Sequence, residues 1–250
     1  MSLPKLSLID SPLHLTVLEE DAVRELQQAL LRLGYPVRSV DGEIGPRTRT
    51  AWAEFKTDFS QGDPDLIGPA SVQLLKKQLA DLGGQVAYDF ATVEGTMHAI
   101  SEACRAHGLV LKSQIAYVLA TVKHETASSF KPVREAYYLG EPRATNFRKT
   151  LSYSPYYGRG YVQLTHKANY AKYEGILGID LVEQPDLALE PKTALFVLVH
   201  GFKTGSFTGR KLADYVNENK TDFVNARRCI NGTDKADLIA AHAKRFQATI

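Results

Sequence analysis

The sequence predicts a mainly α protein built from two units, on three observations. Apolar residues recur at spacings of three and four in successive segments of the 250-residue chain, the period of amphipathic helices. Gly, Pro and Asp interrupt those segments where helices start and stop. A Gly83-Gly84 pair separates a shorter first part from a longer second one, giving expected domains at 1–82 and 83–250. A hydrophobic content of 44% is enough for one large or two small cores.

In the first part, "VRELQQALLRLGYPV" places Val23, Leu26, Leu30 and Leu33 on one helical face, with Gly34 as a stop. "DGEIGPRTRTAWAEF" follows, with Pro46 in the first turn of a second helix that carries Trp52, Phe55 and Phe59. "DLIGPASVQLLKKQL" repeats the pattern, so Ile-Gly-Pro opens a helix twice, at 44–46 and 67–69. Three short helices joined by Gly/Asp turns make a small bundle. Asp41, Gly42 and Gly45 are turn chemistry whatever they bind, and Trp52 and Phe55 suit a core better than a binding platform.

The second part opens with "TVEGTMHAISEACRAHG", a helix with Met97, Ile100 and Cys104 in its stripe and Gly108 at its end. Next comes "SQIAYVLATVKHETASSF", with Ser113 as the expected N-cap and Ile115, Val118 and Val122 as the stripe. Glu125 falls three residues later, at the edge of that stripe, whereas Gln114, Thr121 and His124 point elsewhere. An unpaired carboxylate there is costly, and desolvation would keep it protonated as a general acid requires. The alternative is a Glu that simply caps the helix at the surface. Residues 131–156, with Glu135, Glu141 and several tyrosines, read as loop and short strand.

In "YYGRGYVQLTHKANY", residues 156–170, Gly158 and Gly160 bracket Arg159 and permit a close backbone approach. Tyr161 to Thr165 alternate and could form a strand edge. Gln163, Thr165 and Asn169 offer neutral hydrogen-bonding groups, and Tyr157, Tyr161 and Tyr170 offer faces for sugar rings. This set suits a polyhydroxylated ligand better than a phosphate or a base, although a polar turn before a helix has the same residues.

Several classes are disfavoured. A net charge of +2 does not point to nucleic acid. No apolar run approaches a membrane span, and Pro4, Asp10 and Pro12 break the N-terminal stretch, which does not read as a signal peptide. Cys104 and Cys229 form no disulfide framework, which suits a reducing compartment. "HETAS" is not the zinc motif HExxH, because position 128 is Ser; no metal and no cofactor are expected.

Residues 18–80 resemble the peptidoglycan-binding domain found beside many cell-wall enzymes, through "LQQALLRLGY", Asp41-Gly42 with Gly45 and Thr48, the Trp52 helix and the second Ile-Gly-Pro turn. The resemblance implies peptidoglycan as the partner, with Asp41, Gly42, Gly45 and Trp52 as candidate contacts. Residues 95–248 resemble glycoside hydrolase family 19, the chitinase-like branch of the lysozyme superfamily, through "HET", "YYGRGYVQLTHKANY", "GFKTGSFTGRKL" and "VNARRCINGTDKA".

Carried over residue by residue, that resemblance makes Glu125 the general acid and Thr165 the water-orienting hydroxyl. Glu135 is the expected base, with Glu141 as the alternative; either could equally be a salt-bridge partner for Arg134, Arg143 or Arg148, and the charge of Arg134 beside Glu135 would keep that carboxylate ionised. His124, Tyr157, Tyr161, Gln163, Asn169, Tyr170 and Asn231 are the candidate substrate contacts. The cysteine-rich pattern of secreted plant members is missing, which puts chitin in doubt. Together the two resemblances imply a modular, monomeric phage endolysin. It would be made in the host cytoplasm and would reach periplasmic peptidoglycan once the membrane is permeabilised, without inserting into it.

Overall fold

The computed structural model describes residues 2–35, 37, 39–59, 62–83 and 88–250. The chain forms two compact units, Met1–Val86 and Ala87–Ile250. Gly84, half of the expected hinge, lies outside the described residues.

The first unit runs β1 (Leu13–His14), α1 (Glu20–Arg32), α2 (Pro46–Phe59), β2 (Leu66–Ile67) and α3 (Pro69–Gly83). β1 and β2 pair antiparallel, Leu13 opposite Ile67. Val23, Leu26, Leu30 and Leu33 are buried as their spacing predicts, and Gly34 ends the helix at φ +88°. Pro46 and Pro69 each open a helix, where a missing N–H costs nothing. Trp52 is fully buried, stacks on Phe55 with centroids 5.3 Å apart, and donates from Nε1 to the Leu66 carbonyl at 3.1 Å.

The second unit contains α4 (Val93–Ala106), α5 (Lys112–Glu125), β3 (Val133–Arg134), α6 (Arg143–Thr150), β4 (Arg159–Gly160), α7 (Lys167–Leu177), α8 (Pro191–Thr204), β5 (Val216–Asn217), β6 (Lys220–Thr221) and α9 (Ala236–Thr249). α5 is the central helix and packs on α4 and α9. Every residue from 113 to 122 is buried, so the expected one-sided stripe is a helix covered all round. Ser113 is not the cap: the helix starts one residue earlier, after extended Leu111. Gln114 closes the start instead, accepting from the Leu111 N–H at 3.3 Å and donating to the Val216 carbonyl at 2.9 Å.

Two local expectations change. Residues 161–163 form a turn rather than a strand edge, because the strand is Arg159–Gly160, paired with β3. The stretch read as loop contains α6, whose sequence RATNFRKT has no apolar stripe; it is held by Ala144 and Arg148, both buried.

Because Trp52 is core, Trp52→Ala should destabilise the first unit by about 3–5 kcal/mol, read from denaturant unfolding of the full chain. Buried His107 provides a pH test. Burial lowers its pKa from the ordinary 6.5 to about 4, against the raising effect of its bond to the Ala103 carbonyl. The unfolded chain therefore takes up the proton first as pH falls, and stability drains away between about 6.5 and 4. His107→Gln should flatten that part of the stability–pH curve.

Candidate active site

Glu125 is the last residue of α5, held at the end of a rigid, buried rod. Its Oε1 accepts from Arg227 Nη1 at 2.7 Å, and the guanidinium is 3% exposed against 18% for the Glu125 side chain. The expected apolar, unpaired setting is therefore not what surrounds this carboxylate: a buried cation sits on one oxygen. Arg227 also donates from Nε to the Asp234 carbonyl at 3.0 Å. Arg227 lies in a short 3-10 turn, Asn225–Cys229, and its carbonyl accepts from the Asn231 N–H at 2.9 Å. Asn231 itself is exposed, on the loop that Arg227 fastens beside Glu125.

Glu135 follows β3 and is half-buried. Its Oε1 accepts from the Tyr153 hydroxyl at 2.8 Å and its Oε2 from the Gly158 N–H at 2.8 Å. Its own N–H donates to the Gly158 carbonyl at 2.7 Å. That hydrogen bond to Glu135, then burial, raises the pKa of Tyr153, so Tyr153 stays a donor. Arg134, the cation expected to keep Glu135 ionised, pairs instead with Asp186 at 2.7 Å. Glu141, the alternative base, is occupied elsewhere. It is exposed, and hydrogen bonds from Thr145 first and Arg148 second lower its pKa.

Arg159 organises the segment that follows. It is 3% exposed and donates to Asp186 at 2.7 Å, to the Pro155 and Tyr157 carbonyls at 2.9 and 3.2 Å, and to the Tyr170 hydroxyl at 3.0 Å. Its guanidinium also lies 3.8 Å from the Tyr157 ring centroid. Burial raises the pKa of Asp186, but the bonds from Arg134 and Arg159 outweigh it and leave the pKa lowered.

This arrangement corrects two candidate contacts. Tyr161 and Tyr170 are 1% and 0% exposed; Tyr170 donates to the Tyr157 carbonyl at 2.9 Å. Neither offers a face to a sugar: Tyr170 lies against Arg159, and the Tyr161 ring is buried in the core. Tyr157 is half-buried with Arg159 against its ring.

Gln163 has φ +56°, and its Nε2 donates to the Val133 carbonyl at 3.1 Å. A Cβ on Gly158 would lie 2.6 Å from Gln163 Oε1, which is why that position is Gly. Thr165 Oγ1 donates to the Gln163 carbonyl at 2.7 Å, and Asn169 Nδ2 donates to the Thr165 carbonyl at 2.7 Å. The Thr165 hydroxyl is thereby oriented with its lone pairs free to accept from a water. Glu135, Gly158, Gln163, Thr165 and Asn169 thus form one connected group. Tyr137, two residues after Glu135, has its pKa raised by burial first and then by the Glu125 charge. His124 instead lies near His242 on α9, whose pKa burial lowers first, with Lys123, Arg245 and His124 adding to it.

In the first unit, Asp41 Oδ1 accepts from Gln27 and from the Glu43 N–H, and Oδ2 from Ser39. The Glu43 bond, followed by those from Gln27 and Ser39, lowers its pKa to about 2. Gly42 has φ +82° and donates to Gln27 Oε1 at 2.9 Å. Asp41, Glu43, Gly45 and Arg47 line an open cleft of about 270 Å³. Buried Trp52 is not among its walls, so Trp52 is corrected from candidate contact to core.

The pattern read from sequence omitted Arg227, Tyr153 and Asp186, whereas Arg148 pairs with Glu141, one of the salt bridges it offered. Arg227 and Arg228 are adjacent and chemically identical in the sequence; only the fold buries the first and exposes the second.

Residues 19–61 match the family described as "Putative peptidoglycan binding domain". The chain is similar to Chitinase 11 of Oryza sativa subsp. japonica, 51% identical over 47 residues, 19% of this chain and 18% of the relative. It is similar to Chitinase 8 of the same plant, 33% identical over 78 residues, 31% of this chain and 30% of the relative. It is also similar to an endochitinase of Avena sativa, 32% identical over 88 residues, 35% of this chain and 38% of the relative. The chain thus spans well under half the length of the curated relatives it matches. A solved bacterial family 19 chitinase aligns with a TM-score of 0.41 and 21% identity, covering 69% of this chain and 92% of that one. The chain is modular: it joins a peptidoglycan-binding-type segment to chitinase-like sequence.

Removing Arg159 tests the hub. Arg159→Ala should destabilise the second unit by about 3 kcal/mol, since it strips a buried, multiply bonded guanidinium. Faster amide exchange across 156–165 than elsewhere in the unit is the expected signature.

Proposed function

We propose that the chain is a glycoside hydrolase acting on a cell-wall polymer, and that the polymer is peptidoglycan, cut at the β-1,4 bonds between N-acetylmuramic acid and N-acetylglucosamine. The observation that carries this reading is the pair of carboxylates, Glu125 and Glu135. Each is fixed by hydrogen bonds on rigid elements of one unit, in a chain that also carries a peptidoglycan-binding-type segment.

Glu125 serves as general acid. Arg227 holds Oε1, and Oε2 has no partner among the described residues, leaving it as the oxygen that passes a proton to the leaving glycosidic oxygen. Glu135 serves as base. Its two oxygens accept from Tyr153 and Gly158, and a carboxylate has lone pairs left for a water. Thr165 orients that water, with Gln163 and Asn169 fixing Thr165. Attack on the face opposite the leaving group gives inversion, for which carboxyls about 6.5–9.5 Å apart are required. In the finer reading the chain is an endolysin: the first unit binds the wall and the second opens it, lysing the cell.

Chitin is the second reading, favoured by the three plant relatives named for chitin cleavage. Mass spectrometry of products from purified peptidoglycan and from chitin separates the two. It also distinguishes hydrolysis, which leaves reducing ends, from transglycosylation.

Glu125→Gln should lower turnover by about 10²–10⁴-fold, because the amide carries no transferable proton. It should also lower the unfolding midpoint, because buried Arg227 loses its counter-charge while keeping an oxygen to bond, so activity is compared at a temperature where both chains are folded. More than about a tenth of the parent activity would remove Glu125 from the acid role. Deleting residues 1–82 should leave a folded enzyme that is slower on intact walls, since tethering raises local concentration without altering chemistry. Equal rates on intact walls would sink the binding role.

A further inference from the structure

Two of the three tyrosines expected to stack on sugar, Tyr161 and Tyr170, are buried. Exposed aromatic surface instead lies in the strap that follows Glu135. Tyr138 is 78% exposed and Tyr137 38% exposed. Their rings meet edge to face, with centroids 6.2 Å apart at 76°.

The strap is rigidly held for a surface segment. Ala136 enters it at φ +59° and Gly140 leaves it at φ +66°. Between them Tyr137–Leu139 make a tight 3-10 turn. Arg148, 5% exposed, clamps both ends: Nη1 donates to the Glu135 carbonyl at 3.2 Å, and Nη2 bonds the Glu141 carboxylate. Glu141 in turn caps α6, accepting from the Thr145 N–H at 3.0 Å. A large aromatic ring kept in water on a fixed backbone has no packing role. Such a ring is a ready-made contact surface, because little motion is lost when a ligand settles on it. Its neighbours define the ligand. Glu135 lies two residues before Tyr137, and its carbonyl is held by the same Arg148 that clamps the strap. The strap is thus anchored to the segment that carries Glu135, and the raised pKa of Tyr137, caused by burial first and then by the Glu125 charge, agrees with Glu125 being on the same side.

We infer that Tyr138, braced by Tyr137, is a stacking subsite for an N-acetylhexosamine ring of the glycan bound next to Glu125 and Glu135. The flat C–H face of a pyranose fits an aromatic face, and the two hydroxyls at the strap can bond the ring's polar edge. The inference deepens the hydrolase reading and rests on it for the choice of ligand. Arg148 is the positioning residue of this subsite, acting through the strap.

The test is calorimetric binding of two soluble probes, chitotetraose and the tetrasaccharide alternating N-acetylglucosamine with N-acetylmuramic acid, to the full chain carrying Glu125→Gln. Adding Tyr138→Ala should weaken binding of the preferred probe about 3- to 10-fold, the range expected for one aromatic contact. Tyr138→Trp should restore it, and thermal unfolding should not move, as the ring is in water. Unchanged affinity in Tyr138→Ala, or no saturable binding of either probe to the parent, overturns the subsite. Hydrolysis is read separately with Glu125 intact. A chain that binds through Tyr138 yet releases no reducing ends keeps the subsite and overturns the hydrolase reading. A chain whose KM ignores Tyr138→Ala overturns the subsite alone.

Discussion

The ion pair between Glu125 and Arg227 is the constraint on which the second unit depends. It joins residues 102 apart in sequence and ties the end of the central helix to the C-terminal turn. Burying a guanidinium is expensive, and a buried pair adds little net stability over an apolar replacement. What it contributes is geometry. With Arg227 3% exposed, the cation has no water to turn to, so it accepts one arrangement: Glu125 on one side and the Asp234 carbonyl on another. The carboxylate therefore reaches its final position only when α5 and the 225–235 segment have both formed. Site assembly and completion of the fold are one event.

A second guanidinium plays the corresponding role on the other wall. Arg159 gathers two carbonyls, a phenol and Asp186 from separate parts of the chain. The two-residue pairing of β3 with β4 is too short to be stable by itself. The hub makes that pairing rigid enough to hold Glu135 against Gly158. Asp186 bridges Arg159 and Arg134, so the cation expected to steady Glu135 serves the scaffold instead.

Helix positions were legible because the stripes of α1 and α4 are governed by local period and by Gly and Pro at the ends. α5 was legible as a helix, but not as a fully covered one, since burial on its remaining faces comes from α9 and α4 far away in sequence. α6 was illegible for the opposite reason: it has no stripe and rests on Arg148 and a carboxylate cap. Of the two carboxylates, Glu125 could be picked out by its place at the edge of an apolar stripe, whereas Glu135 was reached only through the family resemblance. Their partners could not be picked out, because nothing local separates Arg227 from Arg228. The tyrosines show the same limit. Composition says that aromatic faces are present, whereas only the fold says that Tyr161 is buried, that Tyr170 supports Arg159 and that Tyr138 faces water.

The residues by which the first unit resembles a peptidoglycan-binding domain obey a similar logic. Gln27, 1% exposed, lies within hydrogen-bonding distance of Asp41, the Glu43 carbonyl and Thr48 through Nε2, and accepts from the Gly42 N–H. Asp41, Gly42 and Thr48 thus converge on one buried amide and hold the turn before α2 against α1, a role that follows from the fold whatever the unit binds. Around the 270 Å³ cleft, Asp41 is spent on the turn, while exposed Arg47 opens α2 beside it. The turn motif and the open side chains beside it are therefore adjacent but separate in this unit, just as the buried tyrosines and the exposed strap are in the other.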